Sequence, residues 1–220
     1  MGKILIVQVV ALVFSLLLNE MRHRNFKRMV QTMVYIPYFL SWVVIGGVMT
    51  DLLSSSGIVN HLIGWFGIKP TFFLGSNIWF RWVIILTDVW KSYGWSAIIY
   101  LAALTAVDPS LYDACSIDGG GKRQQIFHIT LPGISSTVVL LAVLSLGGVL
   151  NAGFEQVLVM YNPAVYRTAD IIDTYVYRMG LEQMQYSFAT AVGLLKSAVG
   201  FFLITLSYWL SYRFADYRII

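Results

Sequence analysis

The stretch DPSLYDACSIDGGGKRQQIFHITLP, residues 108–132, lies between two long apolar segments and is the most informative part of the chain. Asp108 is a favourable N-cap, and Pro109 suits the first position of the helix that follows. Because apolar residues then recur at helical spacing, the pattern predicts a short helix with a small apolar stripe. The stripe consists of Leu111, Ala114 and Cys115.

The same stretch predicts a second helix after a glycine break. The run Gly119-Gly120-Gly121 ends the first helix, because glycine disfavours a continuous helix. Ile126 and Ile129 then lie three residues apart on one side of a second helix, which leads through Leu131-Pro132 into the next apolar segment. The result is a helix–turn–helix elbow with one apolar face, which suits a partner that receives a helix in a groove.

The composition places this elbow in a membrane protein. Of 220 residues, 58% are hydrophobic and only 12% are charged, and the mean hydropathy is +0.71. Soluble domains contain about 25% charged residues, so a soluble enzyme, a disordered chain and a collagen-like chain are excluded. A helix crosses the bilayer with about 20 apolar residues, which predicts an all-α polytopic membrane protein with five visible transmembrane helices. The five apolar segments are residues 4–18, 33–53, 78–104, 133–150 and 189–212.

The distribution of basic residues predicts how the chain crosses the membrane. Eight of the 15 Lys and Arg residues lie in the alternate connecting segments 19–28, 105–131 and 211–220, whereas the other two connections contain three. Cytoplasmic loops are enriched in Lys and Arg, so these segments, the elbow and the C-terminus are expected in the cytoplasm. The net charge of +4 then requires no nucleic acid partner. The N-terminus falls outside, which favours a sixth helix ahead of the first over a genuine five-span protein.

Sites for metals and nucleotides are not predicted. Cys115 is the single cysteine, which excludes an internal disulfide and a cysteine metal cluster, and the three histidines are scattered over different loops. The run 118–123 does not match a phosphate-binding loop, because Ser116 stands where a glycine is needed and Arg123 where Ser or Thr is needed. We therefore expect no metal and no cofactor on this chain.

Four charged residues lie in or near the apolar segments: Asp51, Asp88, Lys91 and Lys196. A charge at the bilayer centre costs about 2.5–3.5 kcal/mol on insertion scales, so these side chains are expected to face the protein interior, a pathway or the interface. Asp88 and Lys91 are three residues apart on one helix face and are predicted to pair, with a role in a pathway as the alternative. Lys196 is expected to extend toward the interface.

A pathway for a polar solute needs aromatic faces and hydrogen-bonding side chains. Candidates of both kinds are Trp90, Tyr93 and Trp95 in the third apolar segment, and Asn151, Glu155 and Gln156 after the fourth. For each aromatic residue, packing or a place in an interfacial aromatic belt is the alternative.

The elbow resembles the EAA loop of the permease subunits of bacterial ATP-binding-cassette importers. That pattern runs Glu-Ala-Ala, two residues, Asp-Gly-Ala, and later Phe, Ile and Leu-Pro. The residues that match in register are Ala114, Asp118, Gly119, Ile129, Leu131 and Pro132. The departures are Asp113 for Glu, Cys115 for the second Ala, Gly120 for Ala and Ile126 for Phe.

The resemblance covers the whole chain and is strongest with permeases for oligosaccharides and polysaccharide fragments. The segments that carry it are Asn19-Glu20-Met21-Arg22, Tyr35-Ile36-Pro37, Trp90-Lys91-Ser92-Tyr93-Gly94-Trp95 and Tyr100-Leu101-Ala102-Ala103-Leu104. It implies one permease domain over residues 1–220 in the bacterial inner membrane, with six spans in the full-length form and a coupling loop at residues 105–132.

The resemblance also implies partners and a mechanism. An extracytoplasmic solute-binding protein delivers the sugar, this chain and a second, distinct permease form the pathway, and two ATP-binding subunits hold ATP and Mg while the pathway alternates its access. The residues implied in coupling to the ATPase are Leu111, Asp113, Ala114, Cys115, Asp118, Gly119, Ile126, Ile129, Leu131 and Pro132. The chain is then a transport subunit and not an enzyme. The alternatives are a stand-alone secondary transporter and an intramembrane enzyme, but the chain shows neither evident repeats nor a Gly-x-Ser-x-Gly motif.

Overall fold

The computed structural model describes residues 2–21 and 23–215, and within these residues all regular structure is helical. The α-helices are α1 (Gly2–Asn19), α2 (Arg24–Phe39), α3 (Trp42–Leu53), α4 (Ile58–Gly64), α5 (Trp79–Thr105), α6 (Pro109–Ile117), α7 (Lys122–Gln125), α8 (Leu131–Gly133), α9 (Ser135–Gly147), α10 (Phe154–Met160), α11 (Tyr166–Ala169), α12 (Ile172–Tyr177) and α13 (Tyr186–Ala215). Short 3₁₀ segments lie at Phe73–Gly75 and Pro163–Val165, and π-helical turns lie at Ile126–Thr130 and Arg178–Glu182.

Three helical stretches of the described residues are long and apolar enough to cross a membrane: Gly2–Asn19, Trp42–Gly64 and Tyr186–Leu206. Two bent helix pairs meet the same criterion when each pair is taken as one span. In the first pair α5 and α6 are bent by 68°, and in the second the segments Lys122–Gly133 and Ser135–Ser145 are bent by 57°. The all-α membrane fold is therefore confirmed, with three to five candidate spans among the described residues.

The apolar segment 33–53 is not one continuous helix, so the predicted bounds of this span were wrong. α2 ends at Phe39 and α3 begins at Trp42, where the Ser41 hydroxyl accepts a hydrogen bond from the Val44 amide as an N-cap. Pro37 lies inside α2, two residues before its end, and its missing N–H removes one hydrogen bond of the helix. The span formed from this region is Trp42–Gly64, which comprises α3 and continues to the end of α4.

The chain divides into two compact units, and the first comprises the described residues of 1–38, 91–149 and 201–220. Its buried core is formed by Ala11, Ala97, Tyr100 and Leu141. A series of hydrogen-bonded polar side chains crosses this core. The Tyr100 hydroxyl donates to Gln8 Oε1 at 2.8 Å, and Gln8 Nε2 donates to Ser145 Oγ at 2.8 Å. These two bonds join α5, α1 and α9, because each side chain comes from a different helix.

The second unit comprises residues 39–90 and 150–200. Its core includes residues from α5, α10 and the segments around them: Leu74, Phe80, Val83, Ile84, Val157, Met160, Val165 and Ala169. Gln156 is fully buried there, and its amide nitrogen donates to the Ile84 carbonyl and to Thr87 Oγ1, both at 2.8 Å. The side chain of Gln156 thereby links α10 to α5.

The Gln8–Tyr100 bond is expected to be energetically coupled in the membrane. We predict that Gln8→Leu and Tyr100→Phe each lower stability, and that together they lower it by less than the sum of the two. The coupling energy should be about 0.6 kcal/mol, the average for interhelical hydrogen bonds in a bilayer. A double-mutant cycle on the unfolding free energy in detergent measures it.

Ser15→Ala is the matched control, because the buried Ser15 hydroxyl donates within its own helix to the Leu12 carbonyl. Its effect should add to that of Tyr100→Phe without any coupling. Additive effects of Gln8→Leu and Tyr100→Phe would contradict the interhelical bond.

Candidate functional site

The first arm of the elbow begins as predicted. Asp108 adopts extended backbone angles, and its carboxylate accepts a hydrogen bond from the Ser110 amide at 2.9 Å. That hydrogen bond lowers the pKa of the Asp108 carboxyl, since it stabilises the charged form. Pro109 occupies the first turn, where its missing N–H has no helical partner to lose. The local sequence therefore specifies the start of α6.

The first arm ends at the glycine break, which is also confirmed. The Gly119 amide donates to the Ser116 carbonyl at 3.2 Å, and the Gly120 amide donates to the Cys115 carbonyl at 2.7 Å. Gly119 has a φ of +77°, the left-handed conformation that closes this type of helix end and that glycine adopts without strain. A Cβ at position 120 would collide with Cys115 Sγ. Cys115 and Gly120, which both stand where the EAA pattern has Ala, therefore lie in contact.

The second arm contains a turn that the sequence pattern did not predict. α7 is followed by the π-helical turn Ile126–Thr130, in which the Leu131 amide donates to the Ile126 carbonyl, five residues back. Pro132 comes next and has no N–H to continue a regular ladder. Ile126 and Ile129 are both partly buried in this turn.

A polar joint connects the two arms. Gln125 is buried, and its amide nitrogen donates to Ser116 Oγ at 3.0 Å and to the Tyr112 carbonyl at 3.3 Å. The Tyr112 and Thr130 hydroxyls lie 3.0 Å apart, and Thr130 Oγ1 donates to the Gln125 carbonyl at 3.2 Å. Sequence reasoning missed these four residues. The available signal was Gln125, a polar residue four positions before Ile129 on the predicted apolar side, since a buried amide needs partners.

The elbow exposes apolar surface. None of the nine residues of α6, all of which the structure describes, is buried; Leu111 is 50% exposed and Ile117 is 86% exposed. A cleft of about 440 Å³ lies between the arms, and its lining includes five of the predicted coupling residues. They are Leu111, Ala114, Cys115, Asp118 and Ile129.

Asp113 lines a separate polar cleft of about 440 Å³ beside the end of α1. Glu20 and Lys122 form an ion pair across this cleft, with 2.9 Å between Lys122 Nζ and Glu20 Oε2. The turn after α1 therefore contacts the elbow, and Asp113 lies beside this contact. The other predicted coupling residues lie in the turn and the second arm: Gly119, Ile126, Leu131 and Pro132.

The six candidate pathway residues do not form one cluster within a unit. Tyr93 and Trp95 lie in the first unit, where Tyr93 packs edge-to-face on Phe14 and Trp95 stacks on Tyr38 with ring centroids 4.6 Å apart. The second unit contains the other four, of which three are exposed: Trp90, Asn151 and Glu155. The buried amide of Gln156 is engaged in packing, as described above.

Lys91 is buried and lies at the end of α2. Its ammonium group donates to the Tyr38 carbonyl at 2.9 Å and to the Pro37 carbonyl at 3.4 Å. Carbonyls at a helix C-terminus lack helical partners and carry partial negative charge, so a lysine there is favourable. The pairing of Asp88 with Lys91 stays a prediction.

The expectation for Lys196 was wrong. Lys196 lies within α13 rather than near its end, and its ammonium group donates to both carboxylate oxygens of Asp173, at 2.6 and 2.7 Å. The partner is 23 residues earlier in the chain, so helical periodicity could not reveal it.

A second ion pair joins Arg178 to Asp170. Burial raises the pKa of the Asp170 carboxyl, but hydrogen bonds from Arg178 and Thr174 outweigh burial and lower this pKa. The described residues contain no group of three or more His, Cys, Asp or Glu arranged to bind a metal.

Comparison with known proteins agrees with these features. The model of the family "Binding-protein-dependent transport system inner membrane component" matches residues 11–216. The chain is 47% identical over 208 residues to the polygalacturonan/rhamnogalacturonan transport system permease protein YteP of Bacillus subtilis, covering 94% of this chain and 65% of YteP. It is 44% identical over 194 residues to Protein LplB of the same organism, covering 88% of this chain and 61% of LplB. The chain thus spans slightly less than two thirds of the length of these two relatives.

Two solved structures have the same fold. One is a crystal structure of a bacterial ABC transporter that imports the acidic polysaccharide alginate, with a TM-score of 0.89 and 35% identity over 97% of this chain and 78% of that chain. The other is a bacterial alginate ABC transporter in complex with an alginate pentasaccharide-bound periplasmic protein, with a TM-score of 0.88 and 36% identity over 97% of this chain and 77% of that chain. The resemblance inferred from the elbow is confirmed over nearly the whole chain.

The end of the first arm provides a test of the elbow geometry. Gly119→Ala should destabilise the elbow by about 1–3 kcal/mol, because alanine is strained at positive φ. We expect faster amide hydrogen exchange in residues 111–125 and little change elsewhere. Gly121→Ala is the control, since Gly121 has a φ of −85° and open space around its Cβ position. Equal rates of amide hydrogen exchange in residues 111–125 of the two variants would contradict the left-handed turn at Gly119.

Proposed function

We propose that this chain, which belongs to the family of binding-protein-dependent transport system inner membrane components, is a permease subunit of an ATP-driven oligosaccharide importer. The match to an alginate importer over 97% of the chain carries this proposal. In such an importer the chain forms half of a translocation pathway. A solute-binding protein delivers the sugar, and ATP hydrolysis by separate subunits drives alternating access.

Fragments of acidic polysaccharides are the substrate class that the relatives favour. YteP is described as a permease for polygalacturonan and rhamnogalacturonan, and the two similar structures belong to alginate transporters. Polygalacturonan and alginate both consist of sugar units that carry carboxylates. A substrate of this class is long, anionic and rich in hydroxyl groups.

The elbow is the docking site for an ATP-binding subunit. Its two exposed apolar side chains, Leu111 and Ile117, and the cleft between the arms offer a surface that gains from burial in a partner. The polar joint at Gln125 connects the arms, so a force applied to α6 is transmitted to the segment that enters α9. Two ATP-binding subunits would hold ATP and Mg, one at this elbow and one at the elbow of a distinct second permease.

The orientation follows from the basic residues. Eight of them lie on the side of the elbow, and this excess favours an elbow and a C-terminus in the cytoplasm, below a bacterial inner membrane. The extracytoplasmic side then presents the segments that connect α3 to α5 and α9 to α13. This arrangement lets a binding protein and an ATPase act on opposite faces of the same chain.

The docking role of the elbow predicts a specific loss of ATPase association. In the assembled complex, Leu111→Asp and Ile117→Asp should insert normally yet reduce co-purification of the ATP-binding subunits by at least about tenfold, because a charge opposes burial in an apolar groove. Ile172→Asp is the matched control, since Ile172 is also about half exposed but lies in α12. Co-purification of all three variants at the wild-type level would refute docking through α6. Sugar transport by this chain in the absence of any ATP-binding subunit would refute it as well.

The substrate class is tested by ATPase stimulation. The complex with its binding protein, reconstituted in nanodiscs, should respond to galacturonate or alginate oligomers and not to neutral malto-oligosaccharides. The measured quantity is the ATP hydrolysis rate as a function of sugar concentration. Stimulation by the neutral sugars alone would contradict the acidic substrate class while leaving the importer assignment intact.

A further inference from the structure

The second unit contains a cleft of about 470 Å³ that none of the sequence predictions covers. It lies where α12, the π-helical turn Arg178–Glu182 and the first turns of α13 surround the start of α10. The volume is in the range of small-molecule sites. Its lining includes three aromatic side chains and two oxygen-bearing ones: Phe154, Tyr177, Tyr186, Asp173 and Thr190.

Irregular backbone shapes this cleft. The π-helical turn widens the chain after α12, and Met184 follows with a φ of +56°, a conformation that is uncommon for residues other than glycine. Gly180 approaches α13 so closely that a Cβ would lie 2.6 Å from Ala189 Cβ. π-helical turns and positive φ angles often occur at functional sites. The two small residues bring the walls together below the opening.

The aromatic residues offer ring faces of the kind that bind the C–H face of a sugar. The rings of Phe154 and Tyr177 lie 5.7 Å apart with an interplanar angle of 49°. Tyr186 is 58% exposed, so a ligand in the cleft would cover a ring that the chain leaves open. Aromatic side chains combine a large apolar surface with low conformational freedom, which suits reversible binding.

The polar atoms of the cleft are held in place by the chain itself. Lys196 donates to both oxygens of Asp173, yet a carboxylate has about four acceptor positions and keeps capacity for hydroxyl groups. The Thr190 hydroxyl donates to the Tyr186 carbonyl at 2.9 Å and retains its acceptor lone pairs. Because Asp173 and Lys196 neutralise each other, this site suits the hydroxyl-bearing face of a sugar rather than its carboxylate.

We propose that this cleft binds one sugar unit of the oligosaccharide in transit, stacked on Tyr177 or Tyr186 and hydrogen-bonded to Asp173 and Thr190. The assignment rests on the proposed function for the identity of the ligand. An acyl chain of a lipid is the other ligand that an apolar cleft in a membrane protein attracts. An acyl chain cannot hydrogen-bond to Asp173 or Thr190, so it would leave their remaining acceptor positions buried and unfilled, which is unfavourable.

The test uses the whole complex with its binding protein in nanodiscs and a galacturonate trimer that carries a diazirine. The trimer should label peptides that contain Tyr177 or Tyr186, and excess unlabelled trimer should prevent this. Tyr177→Leu should raise the sugar concentration for half-maximal ATPase stimulation about tenfold, and Thr190→Val should raise it severalfold.

Tyr175→Leu is the matched control. It is the same substitution on the same helix, but Tyr175 packs on Phe188, with ring centroids 6.0 Å apart, and is not part of the cleft lining. The sugar concentration for half-maximal ATPase stimulation of this variant should equal that of the wild type. Thermal unfolding of both leucine variants checks that the fold is retained, and photolabelling reports on the cleft in any variant that assembles.

The outcomes separate the cleft from the transport function. Two results overturn sugar binding in the cleft and leave the importer assignment intact. One is stimulation of the wild-type ATPase without labelling of the cleft, and the other is the same half-maximal sugar concentration for Tyr177→Leu and Tyr175→Leu. Labelling of the cleft without any stimulation supports the cleft and counts against the coupled importer. A diazirine lipid that labels the same peptides and is not displaced by excess trimer overturns the sugar assignment.

Discussion

In a bilayer, a backbone carbonyl that leaves a helical ladder needs a donor from the protein, because no water is available. The break after α2 depends on this constraint. Lys91 donates to the carbonyls of Pro37 and Tyr38 at the end of α2. In the second unit, Gln156 donates to the Ile84 carbonyl within α5 and so links two helices. Only 12% of the chain is charged, and several of its few polar side chains within apolar segments stabilise backbone and helix contacts.

In the elbow, polar residues connect the two arms and apolar residues lie on the surface. Its arms are joined by hydrogen bonds through Gln125, Tyr112, Ser116 and Thr130, so apolar packing between the arms is less important for their geometry. Leu111 and Ile117 therefore remain on the surface. An internal polar joint with external apolar residues is a physical basis for a segment that keeps its shape while it binds a partner.

The sequence predictions succeeded where the signal is local. The cap at Asp108, the break at Gly119 and the apolar segments 4–18 and 189–212 each depend on residues within one or two turns, and each is confirmed. The predictions failed where the signal is long-range. The pairing of Lys196 with Asp173 depends on a contact between residues 23 positions apart, which periodicity cannot report. The break within segment 33–53 is stabilised by Lys91 from a distant helix, although the Ser41 cap marks it locally.

The amino-acid sequence alone was sufficient for the membrane class, the helical elbow and the family, because composition, caps and glycine breaks act through local physics. The folded chain was needed for the polar joint at Gln125, the ion pair of Lys196 and the cleft beside Tyr177. Each of these brings together groups from separate elements. Their positions follow from how helices pack and where π-helical turns widen the chain, and no sequence spacing encodes these distances.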